Sequence, residues 1–418
     1  MKILHTSDWH LGRGLHKYDL HEEQREAVNF IVDQAIERKV AAIVISGDVY
    51  DRPLPPVASI RILQEAIERL DGAGITTVIT AGNHDSADRL AVYSNILRGS
   101  VRIIGSIREV DQPVVLRSGD DELRVYGIPF LFPQIASPIL SELTGRDVPL
   151  SHDGVIGAAM ELVRNDLAGA DSKSVRSVVM AHAFVTQYSG SSKTAADQKN
   201  GAAPSLTAEV SDSERDISIG GLQTAAADLF SGVTYAALGH LHGQQFVRAK
   251  KDKKLVLRYS GSPIAYSISE STQRKSFTIA DLDFASEFSE SKIEIVDIPQ
   301  RRLVVQLVDD LDNLVSGKYA QHADDYVDIV VTDDVIRPDA FQKLTDYFSR
   351  FLRKDDRPKN ILAGDDYEKR VDIRDAAVTP IDVVNSFYVK IMNSELTKNQ
   401  IEVIQRALEE LAVEDATK

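Results

Sequence analysis

The sequence predicts an α/β fold: βαβ units building a parallel sheet between helices, then a small α+β domain and a C-terminal helical pair. Three observations carry this. Short apolar, β-branched runs alternate with longer stretches whose apolar residues recur at helical spacing. The runs are apolar throughout rather than alternating, as strands covered on both faces are. Near Pro299 the pattern gives way to shorter, more polar elements.

Taken in order, Ile3-Leu4 opens a strand that ends near Thr6. His21 to Lys39 places Ala27, Phe30, Ile31, Ala35 and Ile36 on one helical face. Ala41 to Ile45 is a buried strand closed by Gly47. Pro53, Pro55 and Pro56 break the chain before a second amphipathic helix, Val57 to Leu70. Thr76 to Thr80 and Leu123 to Ile128 read as strands, and Asp153 to Leu167 as a helix. Val175 to Met180 and Thr234 to Leu238 are apolar strands. Gln244 to Arg248 and Lys254 to Tyr259 flank a lysine-rich tip and read as a hairpin, and Ser276 to Leu282 is a further strand. Tyr188 to Asp216 is rich in Ser, Gly, Ala and Lys, has no period, and reads as a long mobile loop.

After Pro299, Leu303 to Val308 and Val327 to Val331 read as strands and Asp339 to Leu352 as a helix. Pro358 to Asp382 reads as a polar linker. Pro380 to Met392 and Leu396 to Leu411 read as helices with apolar stripes at Ile381, Val384, Phe387, Tyr388 and Ile391, and at Ile401, Ile404, Leu408 and Leu411. The expected domains are 1–298, 299–372 and 373–418.

The chain has 418 residues, more than one core of ordinary size accommodates, with 43% hydrophobic and 27% charged content. It has no cysteine, which excludes structural disulfides, thiolate zinc sites and cysteine nucleophiles. The stretch MKILHTSD lacks the apolar core of a signal peptide, and no run of about 18 apolar residues exists to span a membrane. The lack of cysteine fits a reducing cytoplasm, and the expectation is a cytoplasmic protein. A net charge of −15 argues against nucleic-acid binding by a globally basic surface, though bound cations can supply positive charge locally.

Five apolar runs end in potential metal ligands: Asp8 and His10; Asp48; Asn83 and His84; His182; His240 and His242. Ligand sites in α/β sheets lie beyond the carboxyl ends of strands, so these scattered residues can converge. Hard oxygens with borderline nitrogens suit divalent transition metals. Seven such groups are too many for one ion with an open position. Shared between two ions about 3.5–4 Å apart, they leave room for a nucleophile and a phosphate oxygen. Asp48 is the natural bridge, since a carboxylate has two oxygens. Two dications carry more charge than Asp8 and Asp48 cancel, so the site seeks an anion.

DWH, GDVYD, GNHD, AH and GHLH, in this order, resemble the calcineurin-like metallophosphoesterases, which implies their βαβ sandwich. HTSDWHLG, LGHLH followed by YSGSP, and SDSER at Ser211 to Arg215 resemble more narrowly the SbcCD-type nuclease-subunit family, bacterial counterparts of the double-strand-break-repair nucleases. The resemblance implies one ion on Asp8, His10, Asp48 and His242, and a second on Asp48, Asn83, His182 and His240. It makes His84 the non-ligand histidine facing the leaving oxygen and Asp51 the residue that steadies it. It implies manganese, with magnesium the alternative. The activities implied are double-strand exonuclease and single-strand or hairpin endonuclease, serving DNA repair, recombination and replication. The implied partner is an SbcC-type coiled-coil ATPase, in a heterotetramer with a homodimeric nuclease core. Residues 299–372 would cap the DNA, and the C-terminal helices would bind the ATPase.

Two other classes compete. A small-molecule phosphoesterase or nucleotide phosphodiesterase could use the same core, but the region after Pro299 is superfluous for small substrates. A non-catalytic DNA-end scaffold would have lost a ligand, and none is missing. His5, His16 and His21 read as core or solvated histidines and Trp9 as packing. Arg13, Lys17 and the Lys250–Lys254 run read as solvated turns or phosphate contacts.

Overall fold

The computed structural model describes residues 1–92, 99–171, 173–187 and 224–358, with 384, 385, 388, 396–401, 403 and 404 toward the C-terminus. The chain divides into two compact units, Met1–Val304 and Val305–Lys418. The Tyr188 to Asp216 segment, SDSER included, lies outside the described residues, as does nearly all of the 358–382 linker.

The first unit runs β1 (Lys2–Thr6), α1 (His21–Glu37), β2 (Ala42–Ser46), α2 (Val57–Gly72), β3 (Thr76–Thr80), β4 (Val101–Ile104), β5 (Val114–Ser118) and β6 (Asp121–Ile128). It continues with α3 (Pro133–Thr144), α4 (His152–Leu167), β7 (Val175–His182), β8 (Tyr235–Gly239), β9 (Gln245–Val247), β10 (Val256–Tyr259), β11 (Ser276–Asp281) and β12 (Ile293–Asp297). One six-stranded sheet has the order β12-β11-β1-β2-β3-β4 and the other β9-β10-β8-β7-β6-β5. In each, four strands are parallel: β1 to β4, and β10, β8, β7 and β6. Antiparallel strands β11 and β12, or β9 and β5, complete the edges.

The two sheets pack face to face. Ile3, Val44 and Val78 from the first and Val125, Met180 and Ala237 from the second share one buried cluster. Burial at these positions and at the alternate ones explains the unbroken apolar runs. The outer face of the second sheet, including Tyr126, Val179 and Leu238, is covered by Ala136 and Leu140 of α3 and Val155, Ala159 and Val163 of α4. Helix α1 buries Ala27, Ile31 and Ala35, and α2 buries Ile62, Ala66 and Leu70. Periodicity predicted βαβ units and a parallel sheet between helices, and the resemblance a βαβ sandwich; the structure is that sandwich, two mixed sheets stacked on each other. A strand reads the same whether a helix or a second sheet covers it.

Strands β4, β5 and β12 and helix α3 had no sequence signal. Helix α3 carries Pro133 at its start and Pro138 inside it. A proline at the first helical position is tolerated, but an internal one masks the pattern. The expected hairpin forms as β9 and β10. The first unit reaches Val304, and near its end Arg301 pairs with Glu26, and Arg302 with Glu23 at 2.7 Å, on α1.

The second unit contains β13 (Val304–Asp309), β14 (Tyr326–Val331), α5 (Ala340–Tyr347) and β15 (Arg350–Asp356), with the sheet order β13-β14-β15. Its core joins Leu307, Leu311, Leu314, Ile329, Leu344 and Phe351. The sequence predicted a helix from Asp339 to Leu352. The helix stops at Tyr347, Phe348 is extended, and Phe351 enters a strand parallel to β14. Two phenylalanines three apart satisfy a helical period, and only burial against β14 decides for the strand. Farther on, the Gln400 amide donates to Thr397 Oγ1 at 3.4 Å, and Thr397 N to Gln400 Oε1 at 2.9 Å. That is a capping box with Thr397 as the N-cap. Gln400 Nε2 donates to the Tyr388 hydroxyl at 3.2 Å, linking the two C-terminal segments. The remaining stripe residues of the helical pair lie outside the described residues, apart from Val384, Ile401 and Ile404. Among the described residues, no helix is long and apolar enough to cross a membrane.

Candidate metal centre

The loops leaving β1, β2 and β3 carry Asp8 and His10, Asp48 and Asp51, and Asn83 and His84. Strands β7 and β8 of the facing sheet end at His182, His240 and His242. Parallel strands deliver these ends to one edge, where the stacked sheets are stitched together. His182 Nδ1 donates to Ser46 O at 2.8 Å, and Ser46 Oγ donates to Ala237 O at 2.9 Å. Beyond the sheet the backbone ladder continues through Asp8 N to Gly47 O at 3.0 Å and His10 N to Asp48 O at 2.9 Å.

The backbone here is strained. Asp8, His10, Asp48 and His240 have φ of 54°, 42°, 48° and 106°, in the region that side chains disfavour. Clustering of such residues marks a site whose geometry overrides local preference. Two glycines make the close approach possible. A Cβ at Gly47 would lie 2.2 Å from His182 Nδ1, and one at Gly82 would lie 2.1 Å from Asp48 Oδ1.

The seven expected ligands lie together at this edge, and Asp8, Asp48 and His182 offer donor atoms within 4.8 Å of one another. Asp8, His10 and His242 offer donor atoms within 4.8 Å of one another. His10 Nε2 is 3.5 Å from Asp48 Oδ2. On the other side, Asn83 Oδ1 lies 3.0 Å from His182 Nε2 and 3.2 Å from His240 Nδ1, and His182 Nε2 is 3.3 Å from that same Asp48 Oδ2. The opposite Asp48 oxygen accepts from His84 N at 2.9 Å. Asp8 is held by Ser7 Oγ at 2.5 Å and His240 N at 3.0 Å.

These groups fit divalent cations. His10 Nε2 and His242 Nε2 face each other at 3.1 Å, while His242 Nδ1 points at the Glu270 carboxylate 3.0 Å away. With Nδ1–H donated to Glu270, the neutral His242 ring turns a lone pair toward His10, an arrangement that a shared cation satisfies. Buried N and O donors without a thiolate suit the borderline divalent metals.

Electrostatics among the protein groups differs from one histidine to the next. Burial pushes His10 and His240 down to about 3, which favours the neutral, ligating imidazole. Burial also acts on His182, but the Asp48 carboxylate outweighs it and lifts the ring to about 9. Burial raises Asp8 to about 6, whereas Asp48 is held well below the carboxylate range because His182 and His10 overcome its burial. Two carboxylates packed this deeply require positive charge.

His84 is half-buried. It offers a nitrogen within 4.8 Å of donors on His10 and Asp48, and its ring stands edge-on to His10 at 4.8 Å. His84 Nδ1 meets the backbone carbonyl of Asp51 at 3.0 Å. The Asp51 carboxylate lies instead 3.6 Å from His10 Nδ1 and 3.8 Å from Arg13 Nε. His5 sits in the core, bonded to Tyr235 Oη at 2.8 Å, and the Trp9 indole donates to Thr6 Oγ1 at 3.0 Å. His21 pairs with Asp19 at 2.7 Å.

Sequence reasoning missed the supports. Asp85 accepts from the backbone of Val49, Tyr50 and Gly82 at 3.1, 2.9 and 2.9 Å and ties two ligand loops together. Gln24 Nε2 donates to His10 O at 2.8 Å, and the Tyr266 hydroxyl to Trp9 O. Glu270 and Lys275, paired at 2.6 Å, lie behind His242. Asp85 belongs to the GNHD motif and could have been suspected. Gln24, Tyr266 and Glu270 come from segments with no motif signal.

A buried Asp/His centre at the common edge of two stacked sheets places the protein among the metal-dependent phosphoesterases. The chain belongs to the calcineurin-like phosphoesterase family, whose model matches residues 1–244. It is 30% identical over 285 residues to the D subunit of nuclease SbcCD from Bacillus subtilis, a match covering 67% of this chain and 66% of that protein, just under two thirds of its length. To the D subunit of nuclease SbcCD from Escherichia coli K12 it is 27% identical over 358 residues, covering 82% of this chain and 81% of that one. Among solved structures, a dimetal phosphatase from Danio rerio aligns at 12% identity with a TM-score of 0.39, covering 72% of this chain and 99% of that chain.

Proposed function

We propose that the chain is a two-metal-dependent DNA nuclease: a double-strand exonuclease and single-strand or hairpin endonuclease working with an SbcC-type coiled-coil ATPase. The observation that carries the reading is the shared carboxylate. Asp48 Oδ2 lies 3.5 Å from His10 Nε2 and 3.3 Å from His182 Nε2, so one oxygen serves both donor sets. In this reading Asp8, His10, Asp48 and His242 hold one ion and Asp48, Asn83, His182 and His240 the other, manganese before magnesium. The similarity to the two SbcCD nucleases supports DNA as substrate and the ATPase as partner.

Two dications bound there would activate water and neutralise phosphate charge. The chain's own residues do the rest. Asp8 and Asp48 leave the loaded site with surplus positive charge, which draws a phosphodiester to a chain of net charge −15. His84 donates Nδ1–H to Asp51 O at 3.0 Å, which orients the ring and leaves Nε2 for the substrate. Protonated there, it donates to the leaving oxygen. In this reading Asp51 steadies His84 through its backbone and turns its carboxylate toward His10 and Arg13. Residues 299–372 select duplex DNA, the C-terminal helices tether the ATPase, and the assembly is a heterotetramer around a nuclease dimer acting at the nucleoid.

The test uses the full chain with manganese on linear duplex DNA, a DNA hairpin and p-nitrophenyl phosphate. Duplex degradation and hairpin opening should far exceed monoester hydrolysis. Cutting after Val304 should spare hydrolysis of bis(p-nitrophenyl) phosphate but abolish duplex degradation. Efficient p-nitrophenyl phosphate turnover with intact duplex would make the protein a small-molecule phosphoesterase.

A further inference from the structure

We propose that Glu270, buttressed by Lys275, is a positioning residue that sets the tautomer and donor strength of His242 and thereby the affinity of one of the two metal sites. The inference rests on the two-metal reading and deepens it.

Glu270 and Lys275 are 1% and 5% exposed, and a buried charge needs partners. Donors meet the Glu270 carboxylate on both oxygens. Oε1 accepts from His242 Nδ1 and Ser267 Oγ, each at 3.0 Å. Oε2 accepts from Lys275 Nζ at 2.6 Å and Tyr266 N at 3.2 Å. An ionised carboxylate is the one side-chain group that accepts on both atoms without offering a hydrogen. A glutamine would turn an NH2 toward donors on one side or the other.

The pair grips His242 at both ends. Glu270 holds the ring through Nδ1, while Lys275 Nζ reaches the His242 carbonyl oxygen at 3.3 Å. The ring can then neither flip nor move its proton to Nε2, the nitrogen that lies 3.1 Å from His10 Nε2. A carboxylate behind a ligating histidine also raises its donor strength, and loss of such a partner costs about 10–100-fold in metal affinity. His182 is held differently: its Nδ1 donates to the neutral Ser46 carbonyl at 2.8 Å. Removing the Glu270 charge should therefore weaken the His242 site selectively.

The experiment measures Mn2+ alone, by calorimetric titration and electron paramagnetic resonance, on the full chain and its Glu270→Gln and Glu270→Gln/Lys275→Met variants, with melting in chelator as a separate reading. Two Mn2+ should bind the parent chain. A parent binding fewer than two overturns the two-metal reading, and this proposal with it. In Glu270→Gln one site should weaken by about 10–100-fold and the other stay within about twofold. Lys275→Met added to it removes the orphaned ammonium, so melting in chelator should recover while the affinity deficit persists. A purely structural role would lower melting and weaken both sites together or neither. The proposal is overturned if Glu270→Gln binds both ions like the parent, or if the double variant restores affinity along with melting. If Glu270→Gln does not fold, the double variant decides alone, by whether one site or none is weakened.

Discussion

Asp48 shows how one side chain can be asked to do two incompatible things. It is buried, yet its carboxyl is held well below the ordinary range because His182 and His10 outweigh the cost of burial. It also sits at φ 48°, with Oδ2 between His10 and His182 and Oδ1 accepting from His84 N. His84 differs in kind: half-buried and tied to Asp51 O, it neighbours the donor sets and completes neither in the proposed assignment. The two residues should therefore separate experimentally. His84→Gln should lower turnover at least about 100-fold, the scale of a lost general acid, with two Mn2+ per chain retained. Asp48→Asn should lose both turnover and metal. Elemental analysis of the purified variants checks this, and metal loss in His84→Gln would make it a ligand.

At the scale of elements, the strand ends were legible because burial imposes an apolar run and the turn beyond it is free to carry ligands. Helix α5 was legible only to Tyr347, since the phase of Phe348 and Phe351 suits helix and strand alike. Strand β13 has an acid-sensitive end. Lys318 Nζ at 2.5 Å, with Asn313 Nδ2, Tyr319 Oη and Asp310 N each at 2.9 Å, holds the Asp309 carboxyl well below its ordinary range. A carboxylate depressed in the folded state stabilises it above the unfolded value of about 4, and that contribution fades as pH falls below it. Asp309→Asn should thus destabilise the second unit at pH 6, with a gap that narrows toward pH 3. Urea unfolding of the full chain, read by hydrogen-exchange labelling of Tyr326–Val331, measures it. A gap constant with pH would show that Asp309 acts by shape alone.

For the whole molecule, the described C-terminal residues add one fact to the proposed tether: the second segment starts with the Thr397–Gln400 capping box. A helix so capped starts at Lys398, two residues after the expected Leu396. In the proposed tether, the stripe of Ile381, Val384, Phe387 and Ile391 is the apolar surface offered to a partner helix. Phe387→Glu with Ile391→Glu should abolish co-purification with a coiled-coil ATPase and leave Mn2+-dependent hydrolysis of bis(p-nitrophenyl) phosphate within about twofold. Undiminished complex formation would assign the stripe to packing within this chain.

What the sequence by itself determined is the order of the buried apolar strands and of α1, α2 and α4 in the first unit, and the candidate donors just beyond the strand ends, because apolar runs and ligand types are local properties of the chain. It also marked Gly47 and Gly82, though not the reason for them. Only the tertiary structure decided that two sheets stack, that Asp48 Oδ2 faces both donor sets, and that Glu270 stands behind His242. Each of these depends on which surface covers which, and the partners in each contact are far apart in the chain: Asp48 and His182, His10 and His242, Ser46 and Ala237. Contacts at that separation leave no period and no motif; they are fixed by packing, and packing exists only once the sheets have met.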